Sequence, residues 1–261
     1  MSHKRIIICG YPKSGNTWLT RLTAEIVECP VGGLWCEPFI RDISEEGQNR
    51  SSDYMCFKSH HNTDELDWTL KLYGNGSEKV IYVVRDPRDI LFSAINYYEI
   101  EPQYKLIYKL LGIVPSYRKQ LYKKLFESDK YRVRYMLDTL INGNPINKWL
   151  KTSWQLHVTK YLDRDIFYVK YEDLLNEPVT QVNRILEYLE LERSSDQIKK
   201  AIQIQSFDNK KRTFIKKSQN EKADFLRKGT SGQWKGNLTN TQIKKLKESV
   251  ENLMYRIGYK F

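Results

Sequence analysis

Three isoleucines, Ile6 to Ile8, run into Cys9 and Gly10, and a second glycine follows at Gly15, with Asn16, Thr17 and Trp18 behind it. A short β-branched run bounded by a turn signal reads as a buried strand. Trp18, Leu22 and Ile26 then recur at four-residue spacing, which is one face of a helix. The chain therefore opens as strand, loop and helix, and the loop carries Lys13, Ser14 and Thr17. In that context the backbone N–H groups of the loop and of the helix start point at one spot and favour an anion there. Gly10 and Gly15 have the spacing of a nucleotide-binding loop, yet Asn16 stands where such a loop has its lysine. An ordinary turn would account for two glycines alone. Lys13, Ser14 and Thr17 beside them make a phosphate or sulfate site the better reading.

Three more apolar or aromatic runs read as strands: Tyr54–Phe57, Lys79–Val84 and Ile166–Lys170, with Arg5–Cys9 as the first. Helical patterns lie between and after them. Val179, Val182, Ile185, Leu186 and Leu189 form one apolar stripe. Thr239 and Gln242 have the spacing of a capping box, Ile243, Leu246, Val250, Leu253 and Ile257 form the stripe behind it, and Gly258 ends it. Strands alternating with helices imply an α/β fold, a P-loop-like three-layer arrangement with a central, mostly parallel sheet flanked by helices. Residues 97–145 hold no convincing strand and are expected to form a helical insertion. No linker divides the chain, so residues 1–261 are expected to form a single domain.

Composition narrows the function classes. The chain has 261 residues, 40% hydrophobic and 13% aromatic, which excludes a disordered polymer. Its mean hydropathy is −0.63, and no apolar run approaches the ~18 residues of a membrane span. The N-terminal apolar stretch is too short for a signal peptide. Cys9, Cys29, Cys36 and Cys56 lack metal-ligand spacing and are read as reduced thiols of a cytoplasmic protein. The net charge of +11 points to an anionic partner. Residues 118–134 hold seven Lys/Arg and two acids, and residues 199–235 hold eleven and three. Each is either a solvated face or the lining of an anion site.

Pro12-Lys-Ser-Gly-Asn-Thr-Trp18 resembles the 5′-phosphosulfate loop of the cytosolic sulfotransferases, P-K-[SA]-G-T-T-W, with Asn16 for Thr as the one departure. The resemblance extends further. Arg85-Asp-Pro-Arg-Asp-Ile-Leu-Phe-Ser93 is similar to the family's 3′-phosphate motif, and Arg227-Lys-Gly-Thr-Ser-Gly-Gln-Trp-Lys235 to its R-K-G-x-x-G-D-W-K segment, with Gln233 for Asp and Gly236 for Asn. These matches imply that the donor is 3′-phosphoadenosine 5′-phosphosulfate (PAPS), that the product is 3′-phosphoadenosine 5′-phosphate (PAP), and that no metal is required. They imply that Lys13, Ser14, Gly15, Asn16, Thr17 and Trp18 hold the 5′-phosphate. Arg85, Ser93, Arg227, Lys228 and Gly229 would hold the 3′-phosphate, and an Arg fork suits that geometry. Arg88 and Asp89 fit better as an ion pair or cap at a helix start. Tyr171, before Glu172-Asp173, and Phe207, in Gln205-Ser-Phe207, match the residues that lie beside the adenine. A core role for Phe207 is nearly as good a reading.

A base near neutral pH is most simply a histidine, and the chain has four: His3, His60, His61 and His157. His3 lies in the terminal segment. His157 sits in an apolar helical pattern with Trp149, Leu150, Trp154 and Tyr161 and reads as structural. Lys58-Ser-His60 follows a strand and resembles the family's K-[ST]-H, so His60 is the expected base ahead of His61. Sulfonate transfer is then an in-line displacement dominated by positioning and charge. Lys13 would stabilise the leaving oxygen and Lys58 would assist. The acceptor is expected to be a small organic hydroxyl or amine, bound by loops in 30–53, 62–70 and 97–145. A homodimer is one expected assembly, and nucleic acid is not an expected partner. Two other classes compete. A P-loop kinase or ATPase calls for lysine at position 16 and a metal-binding aspartate at a strand end, where Asn16 and Arg85 stand. A nucleic-acid-binding protein calls for a basic face with aromatic platforms.

Overall fold

Ile6, Ile7, Ile8 and Cys9 have no exposure at all, because their strand lies at the centre of a sheet covered on both faces. The structure, a computed structural model, describes residues 3–40, 43, 45–95, 97, 129–216 and 229–261. They fall into two compact units: Met1–Gly10, Ser14–Arg85 and Tyr161–Ser231 form the first, and Tyr11–Lys13, Asp86–Lys160 and Gly232–Phe261 the second.

The first unit holds five strands: β1 (Lys4–Cys9), β2 (Val31–Leu34), β3 (Tyr54–Ser59), β4 (Glu78–Val84) and β5 (Tyr168–Lys170). Their order is β2-β3-β1-β4-β5, and every pairing between them is parallel. Four of them are the strands expected from the sequence, with shifted ends. β2 was not expected, because its sequence, Val-Gly-Gly-Leu, has no strand pattern. The reason for a glycine there is tertiary: a Cβ on Gly32 would come within 2.4 Å of the Phe57 ring.

Alternation along the strands sorts the side chains into two layers. Ile6, Ile8, Cys56, Ile81, Val83 and Val169 pack with apolar residues of α1 (Asn16–Val27), α6 (Tyr171–Asn176), α7 (Pro178–Leu189) and α8 (Ser195–Ile204). The expected stripe on α7 is buried at Val182, Ile185, Leu186 and Leu189, whereas Val179, in the first turn after Pro178, is 43% exposed. On the opposite face Tyr82 stacks on Tyr161 with centroids 4.3 Å apart. Trp35 lies edge-on to Phe57 and donates through Nε1 to Thr69 of α2 (Thr63–Tyr73). α2 corrects one expectation. Residues 62–70 are not a loop but the start of a helix, because Asn62 and Glu65 form a reciprocal capping box. α9 (Phe207–Lys216) completes the first unit.

The second unit is helical. α3 (Pro87–Ile95) and α10 (Asn240–Arg256) both pack on α4 (Asp129–Asn142), and α5 (Trp154–Leu162) contributes most of its length. Thr239 and Gln242 form the expected capping box, and Leu246, Val250, Leu253 and Met254 are the buried face of α10. Of the expected insertion, residue 97 and residues 129–145 are described, and 129–142 are helical. The rest of 97–145, and most of the basic stretch 118–134, lie outside the described residues.

Candidate active site

In an all-parallel sheet every strand delivers its carboxyl end to the same edge. Here Gly10 follows β1, His60 follows β3, Arg85 follows β4 and Tyr171 follows β5. Register keeps them level: Cys9 lies opposite Ser59 and Tyr82, and Val84 lies opposite Lys170. β1 sits between β3 and β4, so the loop after it leaves from the point where connections diverge, where ligand crevices form in open α/β sheets.

The loop after β1 has the backbone of an anion cradle. Lys13 and Gly15 both adopt left-handed conformations, with φ of 70° and 100°. Gly15 caps α1 without any side-chain hydrogen bond, and the first turn of α1 has no acidic residue. The helix therefore keeps the positive end of its dipole and unshared N–H groups. Ser14 is fully buried, and its Oγ has no hydrogen-bond partner among the described residues. A phosphate or sulfate fits this donor set. Gly15 is needed for space as well as for φ, since a Cβ there would come within 2.5 Å of the Tyr171 ring.

Aromatic residues wall the cradle. Trp18 meets Tyr171 edge-on at 5.5 Å and Phe207 at 5.3 Å, and its Nε1 donates to the Gln205 carbonyl at 3.0 Å. Arg85 lies over the Tyr171 ring at 4.1 Å and donates to the Thr230 carbonyl at 3.2 Å. A Cβ on Gly229 would strike the Phe207 ring at 2.4 Å, so that backbone runs against the aromatic face. Ser14, Gly15, Trp18, Arg85, Tyr171, Phe207 and Gly229 thus form one connected region. The Thr230 carbonyl is part of it and has no signature in the sequence.

His60 joins the same loop from β3. Its Nδ1 lies 3.0 Å from the Gly10 carbonyl and 3.2 Å from the Asn16 amide nitrogen. Asn16 Nδ2 donates to the Gly10 carbonyl at 2.8 Å and to the Ser59 carbonyl at 3.0 Å. The Asn16 side chain is therefore turned to the Gly10 and Ser59 carbonyls and to the His60 ring. His61 points elsewhere: its Nε2 lies 3.8 Å from Glu37, and its carbonyl accepts from the Tyr161 hydroxyl at 2.8 Å. Lys58 is buried on β3, opposite Ile8 and Leu34. Burial pushes the Cys9 thiol behind the site up to about 12 and raises the Tyr161 hydroxyl well above its ordinary value. All four cysteines are free thiols.

The remaining predicted residues belong to the second unit or lie outside the described residues. The Lys13 ammonium sits over the Tyr97 ring at 3.7 Å. Ser93 is half-buried on α3. Arg88 pairs with Asp86 at 2.7 Å, not with Asp89, and stacks on Trp234 at 4.0 Å. Asp89 instead accepts from the backbone N–H groups of Gly232 and Gln233, at 2.6 and 2.8 Å. Asp89 thus clamps the loop at Gly232 and Gln233. His157 is buried in α5, edge-on to Tyr11, which agrees with a structural role. Arg227 and Lys228 lie outside the described residues. Among the described residues no helix is long and apolar enough to cross a membrane.

The Sulfotransferase domain family matches residues 3–258. Cytosolic sulfotransferase 10 of Arabidopsis thaliana is 24% identical, over 98% of this chain and 80% of its own length. A flavonol sulfotransferase-like protein of Flaveria bidentis is 26% identical, over 95% of this chain and 80% of its own. In fold, mouse sulfotransferase SULT7A1, solved with PAP, superposes with a TM-score of 0.66 at 20% identity, covering 96% of this chain and 84% of that one. Retinol dehydratase, solved with androsterone and inactive cofactor PAP, superposes at 0.59 and 14% identity, covering 100% and 83%. With the family matching nearly end to end, the chain belongs to the sulfotransferase domain family.

Proposed function

We propose that this protein transfers a sulfonate group from PAPS to a hydroxyl or amine of a small organic acceptor, within one domain spanning residues 1–261. The anion cradle carries the reading: an uncapped α1, left-handed Gly15 and a buried Ser14 Oγ with no partner among the described residues, walled by Arg85 and three aromatic rings. When bound, the donor supplies the sulfonate and a nucleotide leaving group. The chain's own residues do the rest.

The backbone of Ser14 to Trp18 holds the 5′-phosphate. Arg85, with Ser93, Arg227, Lys228 and Gly229 assigned from the family motifs, holds the 3′-phosphate. Tyr171 and Phe207 flank the adenine, a contact worth about 1–3 kcal/mol by analogy with base stacking. His60 takes the acceptor's proton as the acceptor O–S or N–S bond forms and the donor's S–O bond breaks. The direction of the His61 ring, toward Glu37, favours His60 for this task. Lys13 offsets charge on the departing oxygen and Lys58 assists. Relatives named for a cytosolic location and for a flavonol acceptor support a cytoplasmic enzyme of small-molecule sulfonation. The solved neighbour holding androsterone supports the same acceptor size.

Thermal unfolding with PAP, compared with ATP–Mg²⁺, tests the donor. PAP at ~100 times its dissociation constant adds about 2.7 kcal/mol of stability. Stabilisation by ATP–Mg²⁺ alone overturns the reading. A panel of hydroxyl and amine compounds with labelled donor then identifies the acceptor.

A further inference from the structure

We propose that Glu46 is a positioning residue for the adenine side of the donor site, holding α9 so that Phe207 stays against Trp18. The inference rests on Phe207 flanking the adenine, as proposed above.

The backbone of Glu46 is fixed first. Its carbonyl accepts from the Val31 N–H at 2.8 Å, and the two residues form an antiparallel bridge on the edge strand β2. From there the carboxylate spans two helices. One oxygen lies 2.9 Å from Arg21 Nε on α1, and the other accepts from Lys210 Nζ on α9 at 2.7 Å. The Arg21 guanidinium and the Lys210 ammonium both lie over the Phe214 ring, at 5.4 and 5.7 Å. Arg21 and Phe214 are buried. Two cations held this close repel, the more so away from water. The Glu46 carboxylate, in contact with both, offsets that repulsion and ties the two helices together.

Helix geometry carries the clamp to the aromatic wall. Arg21 is three residues beyond Trp18 on α1, and Lys210 is three beyond Phe207 on α9. Residues at that spacing are neighbours on one helix face. The ion triad and the ring pair of Trp18 and Phe207, 5.3 Å apart, are therefore successive layers of one contact between the helices. The chain before Phe207 has its own anchor. Gln205 accepts from Trp18 through its carbonyl and donates through Nε2 to Glu25, each at 3.0 Å. One anchor leaves α9 able to turn about it. The bond from Lys210 to Glu46 supplies the second fixed point.

Calorimetric titration of the full chain tests this with two probes: PAP, and the 3,5-bisphosphate of an abasic tetrahydrofuran sugar, which keeps both phosphates and lacks the adenine. The variants are E46Q, K210M and F207A, with the first two also combined with F207A. Glutamine keeps the size of the Glu46 side chain and removes its charge. F207A is expected to weaken PAP binding by about 5- to 100-fold, the range for loss of one base-stacking ring, and to leave the abasic probe within about twofold. E46Q and K210M are expected to weaken PAP binding by about three- to tenfold, again with the abasic probe within about twofold, and to add less than about twofold to F207A, because they act through that ring. If E46Q and K210M bind PAP as tightly as wild type, weaken both probes alike, or add their full effect to F207A, the proposal is overturned while the donor reading stands. If F207A binds PAP as tightly as wild type, the placement of Phe207 beside the adenine itself fails. Should E46Q not fold, K210M, which leaves Glu46 paired with Arg21, carries the same readouts.

Discussion

The guanidinium of Arg85 lies 4.1 Å above the Tyr171 ring and at the same time donates to the Thr230 carbonyl. The stack needs a planar cation and the hydrogen bond needs a fixed direction, and arginine has both. Lysine has the charge alone. R85K is therefore expected to weaken PAP binding by about ten- to a hundredfold, equivalent to roughly 1.5–3 kcal/mol for a charged hydrogen bond. Calorimetric titration checks it, and an unchanged affinity would remove Arg85 from the donor site.

Gly15 is constrained twice, by a φ of 100° and by the Tyr171 ring 2.5 Å from where a Cβ would be. G15A is expected to destabilise the protein by about 2–4 kcal/mol, combining left-handed backbone strain with overpacking. It should also weaken PAP binding, because the cradle moves with the ring. Urea unfolding with and without PAP measures both effects.

The two adjacent histidines should behave differently. H60Q is expected to lower kcat by about 10²–10⁴, the usual contribution of a general base, with PAP affinity retained. H61Q, whose ring faces Glu37, should leave kcat within about threefold. Equal losses in the two variants would contradict the assignment.

Asp89 accepts two backbone N–H groups, from Gly232 and Gln233. D89N turns one acceptor arm into a donor facing a donor. A loss of about 1.5–3 kcal/mol is expected in thermal unfolding, since hydrogen bonds to a charged acceptor are replaced by a buried mismatch. D89E, one methylene longer, should not restore it.

Burial raises the Cys9 and Cys29 thiols to about 12 from an ordinary value of 9.0. Below pH 9 both states keep these protons, so the thiols add no pH dependence. Above it the unfolded chain releases them and the folded chain does not, so stability falls as pH rises toward 12. C9A and C29A should each show a shallower decline than wild type in urea midpoints between pH 9 and 11.

Much of the site was legible because its parts are local. Lys13 to Trp18 form a continuous loop and helix start, and Gly15 supplies the position where a positive φ and the Tyr171 ring together exclude a side chain. Lys58 to His60 and Arg85 were legible for a similar reason, since each follows a recognisable apolar strand. β2 was not, because Val-Gly-Gly-Leu becomes a strand only when Phe57 crosses Gly32. The helix at 63–73 is signalled locally only by its capping pair, Asn62 and Glu65, and has a mixed rather than a clearly striped sequence.

The sequence by itself determined the alternating strands and helices, the glycine-bearing loop after β1 and the family, since each depends on residues close in the chain. Tertiary structure decided which groups meet. It set Gly10 and Ser59 side by side at the sheet edge, so that one Asn16 amide reaches both carbonyls and His60 Nδ1. It brought Thr230 to Arg85 across 145 positions of chain. Parallel pairing is the physical reason: it gathers strand ends that are remote in sequence onto one edge, and no local spacing encodes the distances between them.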